Sequence, residues 1–123
     1  MSAHGTRLFC YGTLMGGGVN RRFLANARFL GEVRTAPRYE LVDLGSFPGL
    51  HEGGSVSVVG ELYLVDAETL AAVDRLEGHP RLYVRLPIEL SDGRSVQGYV
   101  LPRGRCPGRT IESGDWRRRG AGR

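Results

Sequence analysis

Lysine is missing from these 123 residues, so all 17 basic side chains are arginine. That removes the Gly-Lys-Ser/Thr ending on which a nucleotide-binding phosphate loop depends. Cysteine is nearly missing too, and Cys10 and Cys106 are too few for a disulfide framework or a zinc site. No stretch approaches the roughly 20 apolar residues of a membrane span. Met1-Ser2-Ala3-His4-Gly5 lacks the charged and apolar regions of a secretory signal. Histidine stands only at His4, His51 and His79, without the spacing of a metal site or a catalytic triad. Ser46 lies in Gly-Ser-Phe-Pro-Gly rather than in a G-x-S-x-G elbow. The expectation is a cytoplasmic chain with no metal, no cofactor and no membrane partner.

The length fits one domain able to bury a core without staples. The net charge of +4 suggests nucleic acid until its distribution is considered. Residues 103–123 hold seven arginines against two acids, whereas residues 1–102 hold ten arginines and eleven acids. The basicity therefore belongs to the end of the chain. We divide it into a core over 1–102 and an arginine-rich, partly mobile tail over 103–123, which Trp116 is able to pin back. With aromatics not interleaved among the tail arginines and no recognisable module, the sequence argues against a nucleic-acid partner.

Hydrophobic periodicity predicts strands over 7–11, 27–35, 39–43, 56–65, 82–90 and 95–101. A short helix is expected over 20–26, with Val19, Phe23 and Leu24 on one side. The clearest helix is 66–76, where Asp66 is a good N-cap and Leu70, Val73 and Leu76 repeat along one face. Gly78 and Pro80 stop it. Residues 44–49 and Gly53-Gly54 read as loop and turn. Many strands and one good helix indicate an α+β fold with a curled, barrel-like sheet.

Two features have chemical interest. Gly12-Thr13-Leu14-Met15-Gly16-Gly17-Gly18 follows the first strand, and such a turn is either a simple reversal or a nest of N–H groups for a carboxylate. Glu77 stands on the last turn of the helix, where the partial negative charge of the helix end raises a carboxyl pKa. Partly buried, it would be tuned for proton transfer. Composition alone favours the plainer reading, a solvent-facing glutamate at a helix end. Cys10, inside a core strand, reads as a small hydrophobe.

Taken in order, these pieces resemble the gamma-glutamyl cyclotransferase-like family, in particular its short bacterial members. The resemblance rests first on Phe9-Cys10-Tyr11-Gly12-Thr13-Leu14, then Gly16 to Asn20. Phe47-Pro48-Gly49-Leu50 and Val58-Val59-Gly60-Glu61-Leu62-Tyr63 follow. Asp74 to Glu77 with Tyr83-Val84-Arg85, and Gly114-Asp115-Trp116, complete it. The family resemblance implies a small mixed β-barrel with flanking helices and a pocket for a gamma-glutamyl group. By the same resemblance Tyr11, Gly12, Thr13 and Leu14 would cradle the glutamyl end, Tyr83 would line the pocket, and Glu77 would be the catalytic acid and base.

The implied reaction is closure of the substrate's own alpha-amino group on its gamma-carbonyl, releasing 5-oxoproline and a free amine or amino acid. Such chemistry requires no serine, cysteine or metal, only a folded substrate and one proton shuttle. Gamma-glutamyl amines and gamma-glutamyl-protected biosynthetic intermediates both fit, and glutathione-type substrates fit less well. The alternative is a non-catalytic module that binds a small molecule in the same pocket.

Overall fold

The computed structural model describes residues 5–15, 18, 20–104 and 108–119. Strand β1 (Thr6–Cys10) lies at the middle of a five-stranded sheet. The edges of that sheet are β2 (Arg28–Arg34) and β6 (Val84–Glu89). Between edge and centre run β5 (Val59–Val65), antiparallel to β1, and β7 (Ser95–Val100), parallel to it. A smaller sheet carries β4 (Pro48–Glu52), β3 (Tyr39–Asp43) and β8 (Arg109–Thr110), in that order. The helix α1 (Ala67–Glu77) joins β5 to β6.

The period-two pattern of the first strand accounts for the layering. Leu8 and Cys10 join a cluster with Leu24, Val73 and Tyr83, on the side of α1. Phe9 and Tyr11 join the other cluster, where Leu41 and Leu50 of the smaller sheet meet Leu62, Ile88 and Val100. Alternate side chains thus serve two cores.

The α+β class agrees with the sequence reading, while closure into a barrel is only approached. The edges β2 and β6 meet at one bridge, Thr35 to Leu90. There Ala36 N–H donates to the Glu89 carbonyl and Ser91 N–H to the Arg34 carbonyl, both at 2.9 Å. The twist of the strands curls the sheet, which stays open elsewhere.

The helix begins as read, with the Asp66 carboxylate accepting from Thr69 N–H at 2.7 Å. It ends one residue later than expected, because Gly78 adopts the left-handed conformation (φ 68°) that closes a helix. The helix expected over 20–26 is a 3-10 turn over Arg21–Leu24, anchored by fully buried Leu24. Val19, Gly16 and Gly17 lie outside the described residues. The loop expected over 44–49 is shorter, since Pro48 and Gly49 already belong to β4. Pro48 opens an edge strand, a place that tolerates the missing N–H.

Beyond Pro102 the described residues reach into the core. Ile111 and Trp116 join the cluster between the sheets, and Val59 N–H donates to the Gly114 carbonyl at 2.7 Å. Arg117 pairs with Asp115 and Glu32, and the Arg119 guanidinium lies 3.9 Å from the Trp116 ring centre. Arg105, Cys106 and Arg123 lie outside the described residues, as does His4. No described helix is long and apolar enough to cross a membrane.

Candidate active site

After Cys10 the chain leaves the sheet and turns sharply, with Met15 N–H donating to the Gly12 carbonyl at 3.0 Å. Asn20 clamps this turn twice, its N–H on the Thr13 carbonyl and its Nδ2 on Thr13 Oγ1, both at 2.9 Å. Gly12 lies so close to the Pro48 ring that an added Cβ would come within 2.6 Å of Pro48 Cγ. The Tyr83 hydroxyl donates to the Pro48 carbonyl at 2.5 Å and so ties that proline to the segment after α1.

The opposite wall is the end of α1. Past Gly78 the chain folds back, with Leu82 N–H donating to the Gly78 carbonyl at 2.8 Å and Tyr83 N–H to the Glu77 carbonyl at 3.3 Å. Leu82 and Tyr83 are therefore held beside Glu77. Between the two walls lies a cavity of about 310 Å3, and all six residues singled out from the sequence line it: Glu77, Tyr11, Gly12, Thr13, Leu14 and Tyr83.

Electrostatics separates the groups around this cavity. Burial pushes the Glu77 carboxyl from its ordinary 4.5 to about 7. Burial, followed by the neighbouring Tyr83 and Glu77, pushes the Tyr11 hydroxyl well above its ordinary value. Tyr11 stays protonated and donates to the Tyr99 carbonyl at 2.6 Å. Burial and the nearby Glu77 also push the Cys10 thiol upward. A thiol so shifted stays protonated and is a poor nucleophile.

A second acid lies one turn earlier on α1 and behaves oppositely. The Asp74 carboxylate accepts from the Tyr99 hydroxyl at 2.6 Å and from Arg85 Nε at 2.9 Å. Burial pulls Asp74 upward, but the hydrogen bonds from Arg85 and Tyr99 outweigh it and hold its carboxyl below the ordinary range. Asp74 is the anion that ties the last turn of α1 to β6 and β7; Glu77 is the one that titrates near neutrality.

Among the residues that sequence reasoning left out of the site, Asn20, Phe47 and Tyr99 also line the cavity. Phe47 stands edge-on to Tyr83, ring centres 6.5 Å apart. Its loop was visible as a motif, with no sign that it lined the same cavity as Glu77. Tyr99 carried no signal, because β7 is brought to the site by its parallel pairing with β1. Ser46 lines the cavity with no histidine among the described lining residues, and His51 hydrogen-bonds the Leu101 carbonyl at 2.7 Å instead. The described residues contain no cluster suited to a metal ion.

The family model of the gamma-glutamyl cyclotransferase, AIG2-like family matches residues 8–118. The chain belongs to that family. A Vibrio cholerae protein provisionally named a gamma-glutamylcyclotransferase is 44% identical over 109 residues, covering 89% of this chain and 93% of its own. The gamma-glutamylcyclotransferase family protein YtfP of Escherichia coli K12 is 37% identical over 110 residues, covering 89% and 95%. The fold also matches the crystal structure of c4763, a uropathogenic E. coli-specific protein, with a TM-score of 0.80 and 28% identity over 94% of this chain and 95% of that one.

Proposed function

We propose that this family member is a gamma-glutamyl cyclotransferase that converts a gamma-glutamyl amide into 5-oxoproline and a free amine or amino acid. The observation that carries the reading is Glu77, an acid desolvated to about 7 on the wall of a cavity that also receives the Tyr11–Leu14 turn.

In this reading the turn holds the glutamyl end, its backbone N–H groups meeting the substrate's alpha-carboxylate. Tyr83 and Tyr11 flank the chain and favour the folded shape. The alpha-amino nitrogen attacks the gamma-carbonyl carbon and a five-membered ring closes. Glu77 takes the proton that this nitrogen sheds. As the bond from the carbonyl carbon to the leaving nitrogen breaks, Glu77 returns the proton to that nitrogen. The nucleophile belongs to the substrate, so the enzyme contributes proximity and one proton carrier. A pKa near 7 suits a group that must both accept and donate at neutral pH.

The test is mass spectrometry for 5-oxoproline after incubation with a panel of gamma-glutamyl amines and dipeptides, beside a thermal melt with each compound. Product formation is expected. Stabilisation on binding with no product from any compound would replace this reading with a non-catalytic binding module.

A further inference from the structure

Asp74 and Glu77 stand three residues apart on the last turn of α1, so their side chains leave the helix on one face. Glu77 lines the cavity, whereas Asp74 is not among the described lining residues. Both Asp74 oxygens are engaged behind it. Oδ1 accepts from the Tyr99 hydroxyl at 2.6 Å and from Arg85 Nε at 2.9 Å, and Oδ2 accepts from Arg85 Nη2 at 3.3 Å. Arg85 is anchored in turn. Its Nη1 reaches Gln97 Oε1 at 3.4 Å, and its backbone N–H donates to His79 Nδ1 at 3.0 Å.

Such anchoring matters at a helix end, where the final carbonyls lack intrahelical partners and the turn frays. The backbone closes this turn through Gly78 N–H on the Arg75 carbonyl and His79 N–H on the Asp74 carbonyl. The Asp74 carboxylate adds a side-chain link from the turn to the sheet. Tyr99 carries that link across the cavity. Its hydroxyl holds Asp74, while its backbone carbonyl accepts from the Tyr11 hydroxyl at 2.6 Å. One residue of β7 therefore bonds both walls, the helix end that bears Glu77 and the turn that opens at Tyr11. A misplacement of about 1 Å between reacting groups costs on the order of a hundredfold in rate.

We infer that Asp74, bonded to Tyr99 and Arg85, is a positioning residue that fixes Glu77 opposite the Tyr11–Leu14 turn. The role rests on the cyclotransferase reading and gives the reaction a second acid, one that holds the proton carrier in place. Asp74 exchanges no proton with substrate, because its partners occupy both oxygens and keep it ionised. The other titratable groups lining the cavity are Cys10, Tyr11, Tyr83 and Tyr99. Burial pushes Cys10, Tyr11 and Tyr99 upward, so these three stay protonated at neutral pH.

The experiment compares the wild type with Tyr99→Phe, Asp74→Asn and the double variant. Tyr99→Phe removes one hydroxyl, keeps the residue's carbonyl for Tyr11 and keeps the charge on Asp74. Melting curves establish that each protein is folded at the assay temperature, and Tyr99→Phe decides alone if Asp74→Asn does not fold. Formation of 5-oxoproline is followed on the best gamma-glutamyl substrate. In parallel the Glu77 carboxyl is titrated by carbon-13 NMR, which reads it apart from His79. In both single variants kcat should fall at least about tenfold with KM within about twofold, because Tyr11 keeps its bond. The Glu77 midpoint should drop from about 7 by at least about one pH unit as the loosened turn admits water. The double variant should be no slower than Asp74→Asn, since both changes break the same link.

Wild-type kcat or an unmoved Glu77 midpoint in Tyr99→Phe would overturn the inference and leave the cyclotransferase reading intact. Rate losses that multiply in the double variant would do the same. No 5-oxoproline from the wild type on any compound would overturn the cyclotransferase reading itself, and the role in catalysis with it.

Discussion

Replacing Glu77 by glutamine should stabilise the protein in a way that depends on pH, and the size follows from the cavity wall. The Glu77 carboxyl is held near 7 in the folded chain, against an ordinary 4.5 once unfolding exposes it. Because the folded value is the higher one, its favourable contribution is complete below about pH 4.5 and is lost as pH rises through about 7. Within that window the unfolded chain has released the proton and the folded chain has not, so stability falls by about 1.4 kcal/mol per pH unit. Over the whole window that amounts to about 3 kcal/mol. Glutamine does not titrate, and its own packing penalty does not vary with pH. The free energy of unfolding of Glu77→Gln minus that of the wild type should therefore increase by about 3 kcal/mol between about pH 4 and pH 8. Urea denaturation of both proteins at the two pH values measures it, and contributions from all other titrating groups cancel in the difference. In a thermal melt the same change corresponds to roughly 10 °C. An equal difference at the two pH values would refute the claim that this carboxyl is desolvated when folded.

Three further outcomes are expected. Gly12→Ala would drive a methyl against the Pro48 ring, where Cβ and Cγ would stand 2.6 Å apart; a loss of about 1–3 kcal/mol in denaturation is expected, with a raised KM. Asp74→Asn removes the charge that Arg85 and Tyr99 stabilise, lowering stability by about 1.5–3 kcal/mol at neutral pH. Since the folded value of Asp74 is depressed, this difference is present above its ordinary 3.8 and should shrink as pH falls below it, which acid titration of both proteins would show. Trp116→Ala should lower stability by about 3–5 kcal/mol in denaturant titration, because the ring is buried between the sheets.

Local signals in the chain were legible where the structure is local. Asp66 and Gly78 bracket α1 through a cap and a left-handed residue, so the position of Glu77 at the helix end followed from spacing. Its burial did not, because the wall opposite comes from the Tyr11–Leu14 turn and from Phe47, which only the paired sheets bring near. Pro48 illustrates a local rule overridden by position: proline marks a break in most strands but is harmless at the first residue of an edge. Toward the end of the chain Trp116 stood out as a side chain able to pack, while the surrounding arginines and glycines hid Ile111. Tyr99 was hidden for another reason. Its roles toward Tyr11 and Asp74 arise from partners 88 and 25 residues away.

Glu77 as the proton carrier of ring closure is tested most directly by turnover to 5-oxoproline. Wild type and Glu77→Gln would be compared on the best gamma-glutamyl substrate, with substrate binding measured by calorimetry on both. The expected result is a variant that binds the substrate and forms no detectable product. Product from Glu77→Gln at a rate near that of the wild type would contradict it.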